Sequence, residues 1–283
     1  ELCQLENSWY DGSKIKLSRD RVRRLGYFKD VFIGTSEVKG TSNQVDINIL
    51  VIEQPTGSFQ IGAGFSQTEK ISFFSSIQKQ NIFGSGNAIS LDINTNRYSH
   101  SLSFSQVSPY ITNSGISQIY NVYYSDTHRP RYVSQNQKMR TFGTNIKYGV
   151  PFSEKNIVFF GVGAEKISIN SNASSPLLYQ QYVADFGNGT LVDKGLSKVL
   201  SDSATATTNS FPLTIAWEND SRNSALAPTK GCYQRANFEI SPFGITSYYR
   251  ASYQHQYFKP FFNNAIILAT NSKIDYGSGI GSK

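Results

Sequence analysis

The chain has 283 residues and a formal charge of +7, yet only 17% of it is charged, and Tyr (17) and Phe (19) are abundant. Aromatic residues fit a pleated surface, so with much Ser, Asn, Gln, Thr and Gly around them they predict β-structure over helix. The basic residues are dispersed except at Arg19–Arg24, which argues against nucleic-acid binding; two cysteines, Cys3 and Cys232, and three scattered histidines, His100, His128 and His255, give neither a disulfide framework nor metal-ligand spacing.

The chain opens on Glu1-Leu-Cys-Gln-Leu-Glu6 without Met and closes on Gly277-Ser-Gly-Ile-Gly-Ser-Lys283, ends that predict an internal segment of a longer protein. Ser13–Leu25 places Ile15, Leu17, Val22 and Leu25 among Lys and Arg. This predicts an amphipathic helix with Asp11 or Ser13 as cap and Gly26 as its stop. Strands follow at Phe28–Val38 and Gln44–Glu53, joined by turn-forming residues Lys39–Asn43. Pro55-Thr-Gly57 marks a boundary, dividing the chain into a small α/β unit over 1–54 and a second domain over 55–283.

From Gly57 the hydrophobic pattern turns to period two and holds it. Phe59, Ile61, Ala63 and Phe65 share one face of the first strand; Ser58, Gln60, Gly62 and Gly64 share the other. Ile89, Leu91 and Ile93 alternate with Ser90, Asp92 and Asn94, Phe142, Thr144, Ile146 and Tyr148 with Thr141, Gly143, Asn145 and Lys147, and Phe211, Leu213, Ile215 and Trp217 fall on a single face. Eleven such segments are predicted, near 57–66, 70–80, 86–96, 98–107, 115–126, 138–150, 156–170, 209–219, 231–241, 248–259 and 265–276.

A soluble sandwich would bury the apolar face of these strands, whereas an outer-membrane barrel turns it to lipid and the polar face to a watery lumen. A tilted strand needs roughly 9–11 residues to cross the bilayer, and these segments have that length. Their second face is polar, as in Arg235, Asn237 and Glu239, or Arg250, Ser252, Gln254 and Gln256. Connections at 81–85, 108–114, 151–155, 220–230 and 259–264 are compact, while those at 127–137 and 171–208 are longer, the short-turn and long-loop alternation of such a barrel, with a short first pair at 67–69 as an exception. No run of about eighteen apolar residues occurs, so no helical span is predicted. An antiparallel transmembrane β-barrel is the expected fold.

Particular motifs resemble the BamA branch of the outer-membrane insertase superfamily, whose members join periplasmic POTRA domains to a sixteen-stranded surface-antigen barrel. Arg21-Val-Arg-Arg-Leu-Gly-Tyr-Phe28 with Val31 is similar to a POTRA helix-to-strand junction, and Glu53-Gln-Pro-Thr-Gly-Ser-Phe59 to the passage into the first barrel strand. Gln78-Lys-Gln-Asn-Ile-Phe-Gly-Ser-Gly-Asn87, and Val107-Ser-Pro-Tyr110 with Gly115-Ile-Ser117, resemble the turns after the second and fourth strands. Asp220-Ser-Arg222 with Ala225-Leu-Ala-Pro-Thr-Lys-Gly231 resembles the surface-antigen motif, although Asn223 stands where an acidic residue is common.

The resemblance implies a truncated α/β POTRA domain followed by about eleven of the sixteen barrel strands. It also implies a non-enzymatic role, without cofactors, in folding and inserting other barrels into the outer membrane. The lateral seam would be the first strand, Gly57, Ser58, Phe59, Gln60, Ile61, Gly62, Ala63, Gly64 and Phe65. Glu6, Arg21 and Arg24 would face accessory lipoproteins, Asp220, Arg222, Pro228 and Gly231 would form a lumenal turn motif, and unfolded outer-membrane proteins would be the clients. Two alternatives stand beside this reading: a dedicated polypeptide secretion pore of the same superfamily, and a soluble β-rich domain.

Overall fold

The computed structural model describes residues 2–24, 27–38, 40–41, 43–112, 114–128, 137–153, 155–193, 198–224, 227–262 and 266–280. Its N-terminal unit is a helix, α1 (Gly12–Arg24), on a hairpin of β1 (Phe28–Glu37) and β2 (Val45–Glu53). Asp11 caps α1, its carboxylate accepting from the amides of Ser13 (2.8 Å) and Lys14 (3.4 Å). Val22 and Val31 are buried where helix and hairpin meet. The expected helix terminus, Leu25 and Gly26, lies outside the described residues.

The rest is dominated by one antiparallel sheet. Eleven strands pair in chain order: β3 (Gly57–Ser66), β4 (Lys70–Lys79), β5 (Ala88–Thr95), β6 (Ser99–Ser108), β7 (Ser117–His128), β8 (Lys138–Ser153), β9 (Asn156–Ser171), then β13 (Leu213–Asp220), β14 (Gly231–Ser241), β15 (Tyr248–Phe261) and β16 (Ile266–Gly279). A twelfth, β12 (Ala204–Ser210), pairs with the outer half of β9 while β13 pairs with the inner half. The strand expected at 209–219 is therefore two. Pro212 has no N–H for the ladder, and the chain breaks there while its carbonyl still takes the Gly163 amide at 2.9 Å.

The two faces of the sheet differ in kind. Phe59, Ile61, Phe73, Leu102, Tyr124, Phe142, Val162, Ile215 and Tyr276 stand exposed on one face, and the register sets Leu102, Tyr124 and Phe142 directly opposite one another across β6, β7 and β8. The other face is polar: Asn121 donates to Asn145 at 3.0 Å, Tyr123 to Glu165, and Tyr248 to Glu239 at 2.9 Å, with Arg250 2.8 Å from the same carboxylate. Burying large apolar side chains is the main drive of soluble folding, so a sheet that leaves them outward on one whole face calls for an apolar solvent.

The connection expected as a loop between β9 and β12 contains α2 (Leu177–Phe186) and a short hairpin, β10 (Leu191–Asp193) with β11 (Lys198–Leu200). These fold onto the polar face, where Val183 and Leu200 join Ile169, Ala204 and Ala206 in a small buried core, with Tyr182 and Phe186 beside it. Under this cap the polar face carries a small apolar core.

Candidate functional site

Strand β3 begins the sheet. It pairs with β4 from Gly57↔Lys79 to Ser66↔Lys70 without a bulge, and its other edge has no partner strand among the described residues. Phe59, Ile61, Ala63 and Phe65 lie on the apolar face; Ser58, Gln60, Gly62 and Gly64 lie on the polar face, where the Ser72 hydroxyl donates to the Gly64 carbonyl at 3.3 Å. Gly57 packs against the Lys79 stem. Strand β16 is the last of the sheet at its opposite end among the described residues.

The turn between β13 and β14 draws together three of the four motif residues. Arg222 grips Asp220 with two parallel bonds, Nε to Oδ1 at 2.9 Å and Nη2 to Oδ2 at 2.7 Å, and its guanidinium lies over the Tyr233 ring at 4.8 Å. Gly231, at φ +104°, passes so close that a Cβ would meet the Ser221 carbonyl oxygen at 2.3 Å. Pro228 sits in the intervening turn, which Asn223 clasps: its Oδ1 accepts from the amides of Thr229 (2.9 Å) and Lys230 (3.0 Å), and its Nδ2 donates to the Thr229 hydroxyl at 2.8 Å. The amide at 223 thus does what a carboxylate would do and donates as well.

In the N-terminal unit Glu6 is exposed in a turn and Arg21 is half-buried on α1, whereas the Arg24 side chain lies outside the described residues. The structure adds a pair that the sequence did not single out, Arg23 to Asp30 at 2.8 Å. The Arg23 guanidinium and the Val31 amide hold the Asp30 carboxyl below the usual carboxylate range. Tyr27 hydrogen-bonds the Gly86 carbonyl at 2.8 Å, tying this unit to the turn after β4.

Among the described residues the geometry offers a two-faced sheet that β3 begins and a locked turn. Residues 81–283 match the Omp85 superfamily domain. The chain belongs to the Omp85 superfamily. Among Omp85 relatives, the outer membrane protein assembly factor BamA of Neisseria meningitidis serogroup B is 30% identical over 99% of this chain, and BamA of Buchnera aphidicola is 31% identical over 60% of it. The sequence is BamA-like over nearly its whole length, while it spans 34% and 28% of those two proteins. Its fold is shared with the crystal structure of BamA from Haemophilus ducreyi lacking POTRA domains 1–3 (TM-score 0.71, 24% identity, covering 99% of this chain and 52% of that one). More distantly it is shared with CdiB from Acinetobacter baumannii (TM-score 0.52, 10% identity, covering 99% and 50%).

Proposed function

We propose that this chain is part of a factor that folds β-barrel proteins and inserts them into the bacterial outer membrane, with β3 as one lip of a lateral seam. The observation that carries the reading is a membrane-length, two-faced antiparallel sheet of the Omp85 superfamily, which β3 begins. A client strand cannot leave its backbone N–H and C=O groups unpaired in hydrocarbon, where each costs several kcal/mol. An open edge supplies partners by β-augmentation, so the client enters lipid already hydrogen-bonded. No bond is made or broken in this work, and no cofactor is needed for it.

In this reading the apolar face meets lipid and the polar face a lumen, and the sheet is the first part of a sixteen-stranded barrel. The α1–β1–β2 unit, residues 1–54, is the end of a periplasmic POTRA domain. Its Glu6, Arg21 and Arg24 face accessory lipoproteins, and the Asp220–Gly231 turn on the periplasmic side braces the lumen. The assignment to BamA-like assembly factors draws support from the 30% identity over 99% of the chain.

The test is to deplete the full-length protein and quantify several unrelated barrels in the outer membrane together with the exported proteome. A general loss of barrels is expected. Loss of a single exported protein with barrels unchanged would overturn the reading in favour of a dedicated secretion pore.

A further inference from the structure

The outer ends of β6 to β9 carry a charged feature that strand insertion does not use. In register across the sheet, the row His100–Asp126–Arg140–Ser168 lies one step beyond the row Leu102–Tyr124–Phe142–Lys166, on the same apolar face. Leu102, Tyr124 and Phe142 are exposed apolar side chains. The apolar belt therefore ends between these two rows.

Strand length agrees with that boundary. β8 and β9 have 16 residues each. At about 3.3 Å per residue and a tilt of about 45°, such a strand spans about 37 Å, against an apolar band of about 25 Å. Their outer ends stand clear of hydrocarbon, and there the outward face turns polar. Ser168 and Thr207 share a hydrogen bond at 3.1 Å, and Asn170 donates to Thr205 at 2.9 Å.

Basic groups converge on this rim. The Asp126 carboxylate lies 3.2 Å from Lys138 Nζ, 3.1 Å from Arg140 Nε and 3.7 Å from His128 Nδ1, with His100 directly across on β6. One carboxylate thus stands among two full cations and two imidazoles, with Lys166 a row below on a stem long enough to rise to the rim. Arg140 reaches Asp126 through Nε alone, unlike the two-pronged Arg222, so its terminal Nη groups have no hydrogen-bond partner among the described residues. Its side chain is 54% exposed.

We propose that this cluster binds the phosphate groups of a phosphorylated glycolipid of the outer leaflet, holding one lipid against the rim of β6–β9. The inference rests on the reading of the sheet as an outer-membrane barrel with β3 rising from the periplasm. The planar Arg140 fork matches phosphate oxygens in pairs, and Lys138 and Lys166 add point charges at the headgroup level. Asp126 keeps Lys138 and Arg140 together when no anion is bound. The hydroxyl and amide ladder alongside suits sugar hydroxyls.

The test reconstitutes the full-length protein in phosphatidylcholine nanodiscs doped with phosphorylated or dephosphorylated lipid A, with a third arm of added inorganic phosphate. Retained lipid is counted by native mass spectrometry. Wild type should retain the phosphorylated form preferentially, and Lys166→Gln should lower retention about fivefold, the scale of one cation at an anionic lipid surface. The triple variant Asp126→Asn, Lys138→Gln, Arg140→Gln, which strands no buried charge, should abolish the preference. A wild type that enters every disc and holds both lipids alike, or that binds inorganic phosphate without preferring either, overturns the lipid site and leaves the barrel reading intact. A protein that enters no disc overturns the barrel reading itself.

Discussion

The ring of Phe74 fills the space beside Gly62, directly across the β3–β4 ladder, where a Cβ would meet Cε1 at 2.1 Å and Cζ at 2.3 Å. A glycine covered by a cross-strand aromatic has a packing role, so the pair is fitted. Gly62→Ala should cost about 1–3 kcal/mol by forcing the ring aside. In a Phe74→Ala background the same change should cost much less. The comparison is made on thermal loss of the folded band in cold SDS gels; equal costs in both backgrounds would remove the packing explanation.

The seam proposal makes a separate demand on the complete protein. A disulfide placed between β3, at Ser58 or Gln60, and the last barrel strand should stop client insertion, and reductant should restore it. Client strands need the open backbone edge more than any side chain, so single substitutions of Phe59 or Ile61 to other apolar residues should leave insertion nearly unchanged. Undiminished insertion through a fully locked seam would sink the proposal.

The turn at 220–231 should tolerate change at one position and not at another. Gly231→Ala combines φ +104° with a clash against the Ser221 carbonyl, which together are expected to cost about 3 kcal/mol or more. Asn223→Asp keeps an acceptor for the Thr229 and Lys230 amides and should cost under about 0.5 kcal/mol, whereas Asn223→Ala loses both bonds at an exposed turn, where water takes over the amides, and should cost about 1 kcal/mol. The amount of folded protein reaching the outer membrane ranks the three.

The sheet was legible in the sequence because both of its faces are written at period two. Phe59, Ile61 and Phe65 against Ser58, Gln60 and Gly64 fix the register, since a slip by one would turn every side chain to the wrong solvent. The cap was missed for a definite reason. Tyr179, Tyr182, Val183 and Phe186 have helical spacing and are the residues that pack on the sheet, but flanking Ser, Ala and Thr masked a single short helix. The split at Pro212 was visible as a proline inside a strand pattern. The rim cluster could not be read at all: His100, Asp126 and Arg140 are far apart in the chain and meet only through strand pairing.

Gln180 offers a way to loosen the cap without touching the strands of the large sheet. Its buried side chain donates to the carbonyls of Ser175 (2.7 Å) and Ala173 (3.1 Å) and accepts from the Leu200 amide at 2.8 Å, joining α2 to β11. Gln180→Leu keeps the bulk but leaves these backbone groups unpaired in a buried place, a loss of about 2–3 kcal/mol. The cap's core is small, resting on Val183 and Leu200 with Ile169, Ala204 and Ala206 beneath. A penalty of that size should therefore open it locally, leaving the β7–β8–β9 ladder closed. Exchange of the Leu200 amide proton should quicken about a hundredfold, with little change in amides of β7 and β8. If exchange rises across the whole sheet instead, the cap unfolds cooperatively with the sheet; if it does not rise at all, the Gln180 bonds do not hold the cap.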